Sequence, residues 1–141
     1  MKPILTIALI VISLSAMAQS HPQISGTDTV ENHSEIPATF PGGAEGWIKY
    51  LNSNLRSELG AKYLKPGRKK LVKQTVIVSF LVDTAGDVVE VQIRNPETVH
   101  PKLGEEAVRV ISEGPKWIPA SMDGKHVIFR QLQPITFMVA G

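Results

Sequence analysis

The sequence predicts an α+β fold in which two helices cover one face of a three-stranded antiparallel sheet. Three observations lead to this class: a hairpin with apolar residues at alternate positions, two segments with apolar residues at helical spacing, and a third alternating segment near the C-terminus. The elements follow the order helix, strand, strand, helix, strand. Because the second helix returns the chain after the hairpin, we expect the last strand beside the first, in sheet order 2-1-3.

Length and composition indicate one domain and do not point to a nucleic-acid partner. The chain has 141 residues, of which 43% are hydrophobic and 20% charged, which is enough for one compact domain and too little for two. Its 15 basic and 13 acidic side chains nearly balance, so the overall charge does not suggest a nucleic-acid partner. The sequence contains no cysteine, so stability must come from the core rather than from a disulfide.

Residues 1–18 have the pattern of a cleavable signal peptide. Lys2 supplies positive charge, residues 4–14 are apolar, and Ala16-Met17-Ala18 is a small-x-small cleavage site. The alternative is an uncleaved membrane anchor, but this apolar run is much shorter than the roughly 20 residues that spanning requires. We therefore expect an exported protein whose mature chain begins at Gln19 and has no transmembrane span.

A polar leader and a first helix come next. Residues 19–39 contain acids but no Lys or Arg, so we expect a flexible leader before a domain of residues 40–141. A helix is predicted over about residues 41–58, because apolar residues recur on one face. This apolar stripe consists of Ala44, Trp47, Ile48, Leu51 and Leu55. A basic connection over residues 62–73 separates this helix from the hairpin.

The hairpin spans residues 74–95. Apolar residues occupy every second position in both arms, as a half-buried strand requires. They are Val76, Val78, Phe80 and Val82 in the first arm, and Val89, Val91 and Ile93 in the second. Asp83-Thr84-Ala85-Gly86 suits a type I turn followed by a left-handed glycine.

A second helix and a last strand complete the domain. The helix is predicted over about residues 101–113, with Leu103, Ala107, Val110 and Ile111 buried, and Gly114-Pro115 ends it. The last strand is predicted over residues 126–139. Pro134 interrupts it, and because proline lacks an N–H group, this strand belongs at a sheet edge or contains a bulge.

Six short segments, spread in order over residues 40–139, carry a resemblance to a known family. They are Phe40-Pro41-Gly42-Gly43, residues 78–83, Leu103 with residues 106–111, residues 115–120, Gly124-Lys125, and residues 134–137. In this order they resemble the C-terminal domain family of TonB, the energy transducer of Gram-negative envelopes. The resemblance implies a small α+β periplasmic domain, similar in architecture to that of TolA. We expect this domain to have no enzymatic activity and no cofactor.

The resemblance also implies a partner. In the family, the domain binds a short extended segment, the TonB box, of a TonB-dependent outer-membrane receptor, and this segment is added as a strand beside the last strand. An exposed strand edge offers unpaired backbone groups to another polypeptide in any case. The partner is therefore expected to be such a receptor or another envelope protein, and the binding residues are expected to be Ile135, Thr136, Phe137, Met138 and Val139.

Two alternatives to this binding site remain open. A partner could engage residues 127–132 on the other side of Pro134. A second copy of the protein could also cover the edge, giving an edge-paired or strand-swapped homodimer that serves as a structural module of the envelope without a receptor role.

The remaining candidate residues have competing interpretations. Arg68, Lys69, Lys70 and Lys73 could contact an acidic partner or anionic lipid headgroups, or form a solvated loop. Trp47 and Trp117 are expected in the core, and Glu105 and Glu106 as solvated carboxylates at a helix start. No histidine pair has metal-ligand spacing and no nucleophile motif is present, so we expect no catalytic residue and no metal site.

Overall fold

The computed structural model describes residues 34–68 and 71–141. Within these residues the chain forms three α-helices, one short 3-10 helix and six strands. In chain order they are β1 (Glu35–Ile36), α1 (Gly43–Asn54), α2 (Glu58–Tyr63), β2 (Leu71–Val82), β3 (Val88–Ile93), the 3-10 helix (Pro96–Thr98), α3 (Pro101–Ser112), β4 (Ala120–Met122), β5 (Lys125–Val127) and β6 (Phe129–Ala140). The predicted signal peptide and most of the predicted leader lie outside the described residues.

The α+β class is confirmed, but the architecture is richer than predicted. The described residues form two three-stranded antiparallel sheets and three α-helices, where the sequence predicted one sheet and two helices. The larger sheet has the order β3-β2-β6, so the first hairpin arm lies between the second arm and the last strand. The smaller sheet has the order β1-β4-β5 and was not predicted, because its strands are only two or three residues long.

The hairpin turn forms at the predicted residues. Gly86 N–H donates to Asp83 C=O (3.0 Å), and the Asp83 carboxylate accepts from the N–H groups of Ala85 and Asp87 (2.9 and 2.8 Å). Gly86 has φ +88°, a conformation that glycine adopts without the clash of a Cβ. Its carbonyl accepts from Trp117 N–H (2.9 Å), which ties the turn to the segment after α3.

The core lies between the larger sheet and the helix layer. Alternation places the even-numbered residues of β2 and the odd-numbered residues of β6 on the covered face. Buried side chains on this face are Val76, Val78, Phe80, Val82, Ile135 and Phe137, and α3 contributes the predicted stripe of Leu103, Ala107, Val110 and Ile111. Gly104 lets α3 approach closely, since a Cβ there would lie 2.6 Å from Ile93 Cδ1.

The first helix is shorter than predicted and its stripe is not buried. α1 ends at Asn54, because Leu55 is extended (φ −74°, ψ 127°), and α2 is a separate helix. All twelve residues of α1 are described, and none of them is buried. Ala44 is exposed and Ile48 is 58% exposed, so the prediction that this stripe is covered by the core is wrong for these two residues.

Two predicted boundaries also need correction. The last segment breaks at Ile128, where β5 of the smaller sheet ends, and β6 then continues through Pro134 without interruption. The fold begins before residue 40: Glu35 and Ile36 pair with β4, and Thr39 forms a bridge with Ile118. The end of the predicted leader therefore belongs to the domain, because it supplies the third strand of the smaller sheet.

Candidate functional site

The candidate site is the outer side of β6. This strand pairs with β2 along its whole length, from Phe129 opposite Val82 to Ala140 opposite Leu71. In the part of the chain that the structure describes, no strand pairs with its other side. The last strand is thus an edge strand twelve residues long.

The direction of the β6 backbone groups follows from the bonds of Ile77, the residue opposite Pro134. Ile77 N–H donates to Asn95 Oδ1 (2.9 Å), and Ile77 C=O accepts from Arg94 N–H (2.8 Å), so both groups point toward β3. In an antiparallel pair, residues directly opposite each other exchange either both hydrogen bonds or neither. Ile77 and Pro134 therefore exchange none, and the backbone of Pro134 points away from β2.

The backbone of Thr75, two residues before Ile77, also faces β3. Its C=O accepts from Asn95 Nδ2 (2.9 Å), so the backbone of the opposite residue, Thr136, also points outward. Because this direction alternates along a strand, six residues of β6 face outward: Arg130, Leu132, Pro134, Thr136, Met138 and Ala140. Pro134 offers only its C=O, so its missing N–H costs no hydrogen bond to β2, which explains how β6 passes through a proline.

The five predicted binding residues divide into two groups. Thr136 and Met138 have outward backbone groups and exposed side chains, and Met138 is 60% exposed. Ile135 and Phe137 direct their backbone groups to β2 and their side chains into the core. Val139 has the same backbone direction and is half-buried. Backbone contacts with a partner at this edge would thus come from Thr136 and Met138, together with Ala140, which was not predicted.

Helix α1 lies beside this edge and leaves two depressions between itself and β6. The first, of about 270 Å³, is lined by Ala44 and Trp47 of α1, by Gln131 and Gln133 of β6, and by the rings of Phe40 and Trp117. The second, of about 190 Å³, is lined by Leu51, Asn52, Leu55 and Ser57 on one side and by Thr136 on the other. We call this space, bounded by residues 44–57 and 131–136, the edge groove.

An aromatic cluster forms one end of the edge groove. Phe40 packs against Trp47 and Trp117, with ring centroids 5.2 and 5.5 Å apart, and Trp117 packs against Phe80 at 5.1 Å. Trp117 is buried, as predicted, whereas Trp47 is only partly buried and contributes to the groove surface. The cluster fixes the N-terminal half of α1 relative to the sheet.

An ion pair in α3 fixes the other end of α1. The Glu106 carboxylate accepts from Arg56 N–H (2.9 Å) and pairs with Arg109 (2.6 Å), and Arg109 Nη2 also donates to Asn54 C=O (2.8 Å). Arg109 further pairs with Glu113 (2.8 Å). Glu106 is buried, so its prediction as a solvated carboxylate is wrong, whereas Glu105 is exposed.

The pKa values of these groups reflect the ion pair. Burial alone would raise the pKa of Glu106. The hydrogen bonds from Arg109 and from the Arg56 backbone together lower it by more, so the pKa lies below its ordinary value. The pKa of Arg109 is raised, mainly by its hydrogen bonds to Glu106 and Glu113. Both shifts stabilise the charged pair. Helical spacing of Glu106, Arg109 and Glu113 could have indicated the pair from the sequence.

Of the predicted basic residues, Lys73 lies near the C-terminal end of β6. Lys73 is exposed and stands directly opposite Met138 in the ladder, and Arg68 is exposed in the preceding loop. Lys69 and Lys70 lie outside the described residues. Lys62 is near the Tyr63 ring (5.3 Å from Nζ to the centroid), and Tyr63 stacks on His100 at 4.5 Å.

Other features of the described residues give weaker indications of a functional site. An open apolar cleft of about 420 Å³ lies between β3 and α3, and its one charged lining group, Glu105, pairs with Lys102 at 3.0 Å. Within residues 34–68 and 71–141, no group of three or more His, Cys, Asp or Glu side chains could hold a metal ion. None of the helices described there has the length and hydropathy that crossing a membrane would require.

The described residues form a small α+β domain in which the outer side of the last strand pairs with no other described strand and lies beside a partly exposed helix. The family model for the Gram-negative bacterial TonB protein C-terminal domain matches residues 68–139 of this chain. The chain therefore belongs to the TonB C-terminal domain family, whose members are non-enzymatic, periplasmic domains of energy transducers. Comparisons with curated proteins and with solved structures gave no match.

Proposed function

We propose that this domain binds an extended segment of an envelope protein by adding it as a strand to the outer edge of β6. The observation that carries the proposal is the row of outward N–H and C=O groups at Thr136, Met138 and Ala140, next to a helix whose apolar stripe is only partly covered. Backbone pairing at such an edge is an established mode of peptide recognition. Membership of the TonB C-terminal family makes a TonB-dependent outer-membrane receptor the preferred partner.

The position of Pro134 supports the C-terminal half of β6 as the site of pairing. Pro134 leaves a gap in the row of outward donors between Leu132 and Thr136. A partner strand can pair without interruption from Thr136 to Ala140, a stretch that includes four of the five predicted residues, Thr136 to Val139. Pairing at residues 127–132 would meet the break at Ile128, where the chain leaves the smaller sheet.

The proposed role places the domain in the periplasm, in association with TonB-dependent transport across the outer membrane. The pattern of residues 1–18 supports export. A second copy of the chain could use the same backbone groups, since strand edges pair with each other when nothing covers them. Self-association through β6 is therefore the competing outcome in any binding experiment.

A proline substitution tests the edge directly. Met138→Pro removes one outward N–H without removing a hydrogen bond to β2, just as Pro134 does in the native chain. Binding of a synthetic peptide with the N-terminal segment of a TonB-dependent receptor should weaken at least about tenfold, the equivalent of about one lost hydrogen bond. Fluorescence anisotropy with a labelled peptide, at several protein concentrations, measures this loss.

Two matched variants complete the test. Met138→Ala keeps the N–H group and should retain most of the affinity, which separates the backbone from the side chain. Phe137→Pro removes an N–H that faces β2, so it should unfold the domain in circular dichroism, whereas Met138→Pro should not. Undiminished peptide binding by folded Met138→Pro contradicts strand addition at this edge. A dimer that persists when peptide is in excess favours the structural module instead.

A further inference from the structure

We infer that the edge groove selects the bound segment at two side chains, four residues apart in the segment. This inference rests on the proposed function and adds the chemistry by which a partner would be recognised. Its starting point is the pair of depressions between α1 and β6, of about 270 and 190 Å³. Both are smaller than the roughly 300–1,000 Å³ of sites for whole small molecules, and their size suits single side chains.

The spacing follows from the geometry of the two walls. The lining residues on β6 are centred near residues 132 and 136, about 14 Å apart at about 3.4 Å per residue. On α1 the lining residues are centred about 7 to 8 positions apart, which is about 11 Å at 1.5 Å per residue. In an added strand, side chains on the helix side recur every second residue, about 7 Å. Four residues match the separation, and two do not. A segment that fills both depressions would extend from the pairing stretch at Thr136 past Pro134, whose C=O still points outward, to Leu132.

The first depression suits a side chain that is apolar along its length and polar at its end. Its lining includes three aromatic rings, those of Phe40, Trp117 and the partly buried Trp47. The amides of Gln131 and Gln133 lie at its β6 side, and the hydrogen bond between them is long, at 3.4 Å. Half-buried amides that are weakly engaged with each other can donate to and accept from a ligand. We expect a hydrogen-bonding side chain such as Thr, Asn or Tyr here.

The second depression suits a small aliphatic side chain. Leu51 and Leu55 supply an apolar surface that the domain itself leaves partly exposed. Asn52 and Ser57 place polar groups at its rim. Burial of a Val, Leu or Ile side chain against the leucines would remove apolar surface of both molecules from water. A charged side chain at this position would lose solvent without gaining a partner.

The opposite side of the added strand has no comparable wall. Side chains of β6 on that face, such as Leu132 and Met138, are exposed, and α1 does not cover them. The residues of the segment between the two selected positions that point to this open face should therefore tolerate substitution. The groove thus recognises a pattern, with a polar side chain at position i and an aliphatic one at position i+4.

A peptide scan combined with two protein variants tests this pattern. The probe is the synthetic receptor peptide already used for Met138→Pro, with each position replaced in turn by aspartate. Binding should fall at least tenfold at two positions four residues apart, and less than threefold at positions facing the open side. Leu51→Glu should weaken the parent peptide at least tenfold and restore part of the binding when lysine stands at i+4.

The first depression is tested without touching the core. Ala44 is exposed at its rim, so Ala44→Leu should partly fill it and weaken a peptide with a large side chain at i more than one with alanine there. Lys49→Ala, on the exposed side of the same helix, is the matched control and should leave all affinities unchanged.

The outcomes separate the two proposals. Uniform sensitivity along the peptide, or sensitive positions two or three residues apart, overturns selection at two depressions even if Met138→Pro still abolishes binding. Failure of Met138→Pro to weaken any bound peptide, or failure of every receptor peptide to bind the native domain, overturns strand addition itself.

Discussion

At the scale of single residues, one buried carboxylate connects two helices. Glu106 accepts a hydrogen bond from the backbone of Arg56, just after α1, and pairs with Arg109 on its own helix. Removing one member of a buried ion pair leaves the other charge without compensation. The residue therefore stabilises both the fold and the position of the groove wall formed by α1.

Replacement of Glu106 tests this role through the pH dependence of stability. The pKa of Glu106 is lowered in the folded state, because the hydrogen bonds from Arg109 and Arg56 outweigh the effect of burial. A lowered pKa contributes stability above the unfolded value, about 4.3 for Glu, and this contribution is lost as the pH falls through the folded value. Glu106→Gln should reduce the free energy of unfolding by about 2 kcal/mol at pH 7.

Urea unfolding at pH 7 and at pH 3 measures the effect. The difference between the native protein and Glu106→Gln should narrow at pH 3, since acid protonates the carboxyl of the unfolded chain more readily than that of the folded protein and so favours unfolding. Glu105→Gln is the control on the neighbouring residue and should change stability by less than about 0.5 kcal/mol at either pH, because Glu105 is exposed. A difference that stays constant with pH would show that the charge of Glu106 is not what stabilises the helices.

The two neighbouring glutamates also show a limit of sequence reasoning. Helical periodicity gives the direction of Glu105 and Glu106 on α3, but it does not show what lies opposite each of them. The end of α1 covers Glu106 and leaves Glu105 in solvent, and this contact joins residues 50 positions apart. Such a burial is decided by tertiary packing rather than by local pattern.

At the scale of elements, the turn at Gly86 sets the register between the hairpin and the segment after α3. A Cβ at Gly86 would overlap the Trp117 carbonyl oxygen, and the residue has φ +88°. Gly124 has a similar φ of +80°, but a Cβ there would meet no atom within 4 Å. The two glycines thus share a conformation and differ in their surroundings.

This difference makes a matched pair of substitutions. Gly124→Ala should reduce the free energy of unfolding by about 1 kcal/mol, from the left-handed conformation alone. Gly86→Ala should reduce it by about 2 kcal/mol more, because the turn must also move away from Trp117. Urea denaturation, followed by tryptophan fluorescence, measures both. Equal losses would show that the contact with Trp117 does not constrain the turn.

Elements were predicted well where the apolar positions of the sequence pattern are also the positions that the fold buries. The hairpin turn and α3 lie at the predicted residues, because their buried positions repeat with the period of the element. The pattern of α1 was equally regular, yet the domain buries its stripe only in part and leaves Ala44 and Ile48 exposed. Periodicity identifies a surface that is suited to contact, and it does not tell whether the same chain or another one makes that contact.

At the scale of the whole molecule, charge is distributed unevenly along the candidate edge. The sequence has no acidic residue from Leu59 through Val82, and Lys73 stands beside Met138 near the C-terminal end of β6. The sequence could predict this basic segment and the edge character of the last strand, the latter from Pro134. It could not place the segment beside the edge, because that requires the register between β2 and β6.

Binding of a partner at this edge should depend on salt concentration. An added strand would lie about 10 Å from β2, two strand spacings away, so the Lys73 ammonium could approach acidic side chains of the segment within the Debye length of about 10 Å at 0.1 M salt. Binding of a receptor peptide that carries two aspartates should weaken several-fold between about 0.05 and 0.5 M salt.

The double variant Arg68→Gln, Lys73→Gln should bind this peptide more weakly at low salt, and its affinity should change less with salt concentration. Lys125→Gln, at an exposed residue of β5 in the smaller sheet, should behave like the native protein. Calorimetric titration at three salt concentrations measures these affinities, and an unchanged salt dependence in the double variant would exclude the basic segment from partner contact.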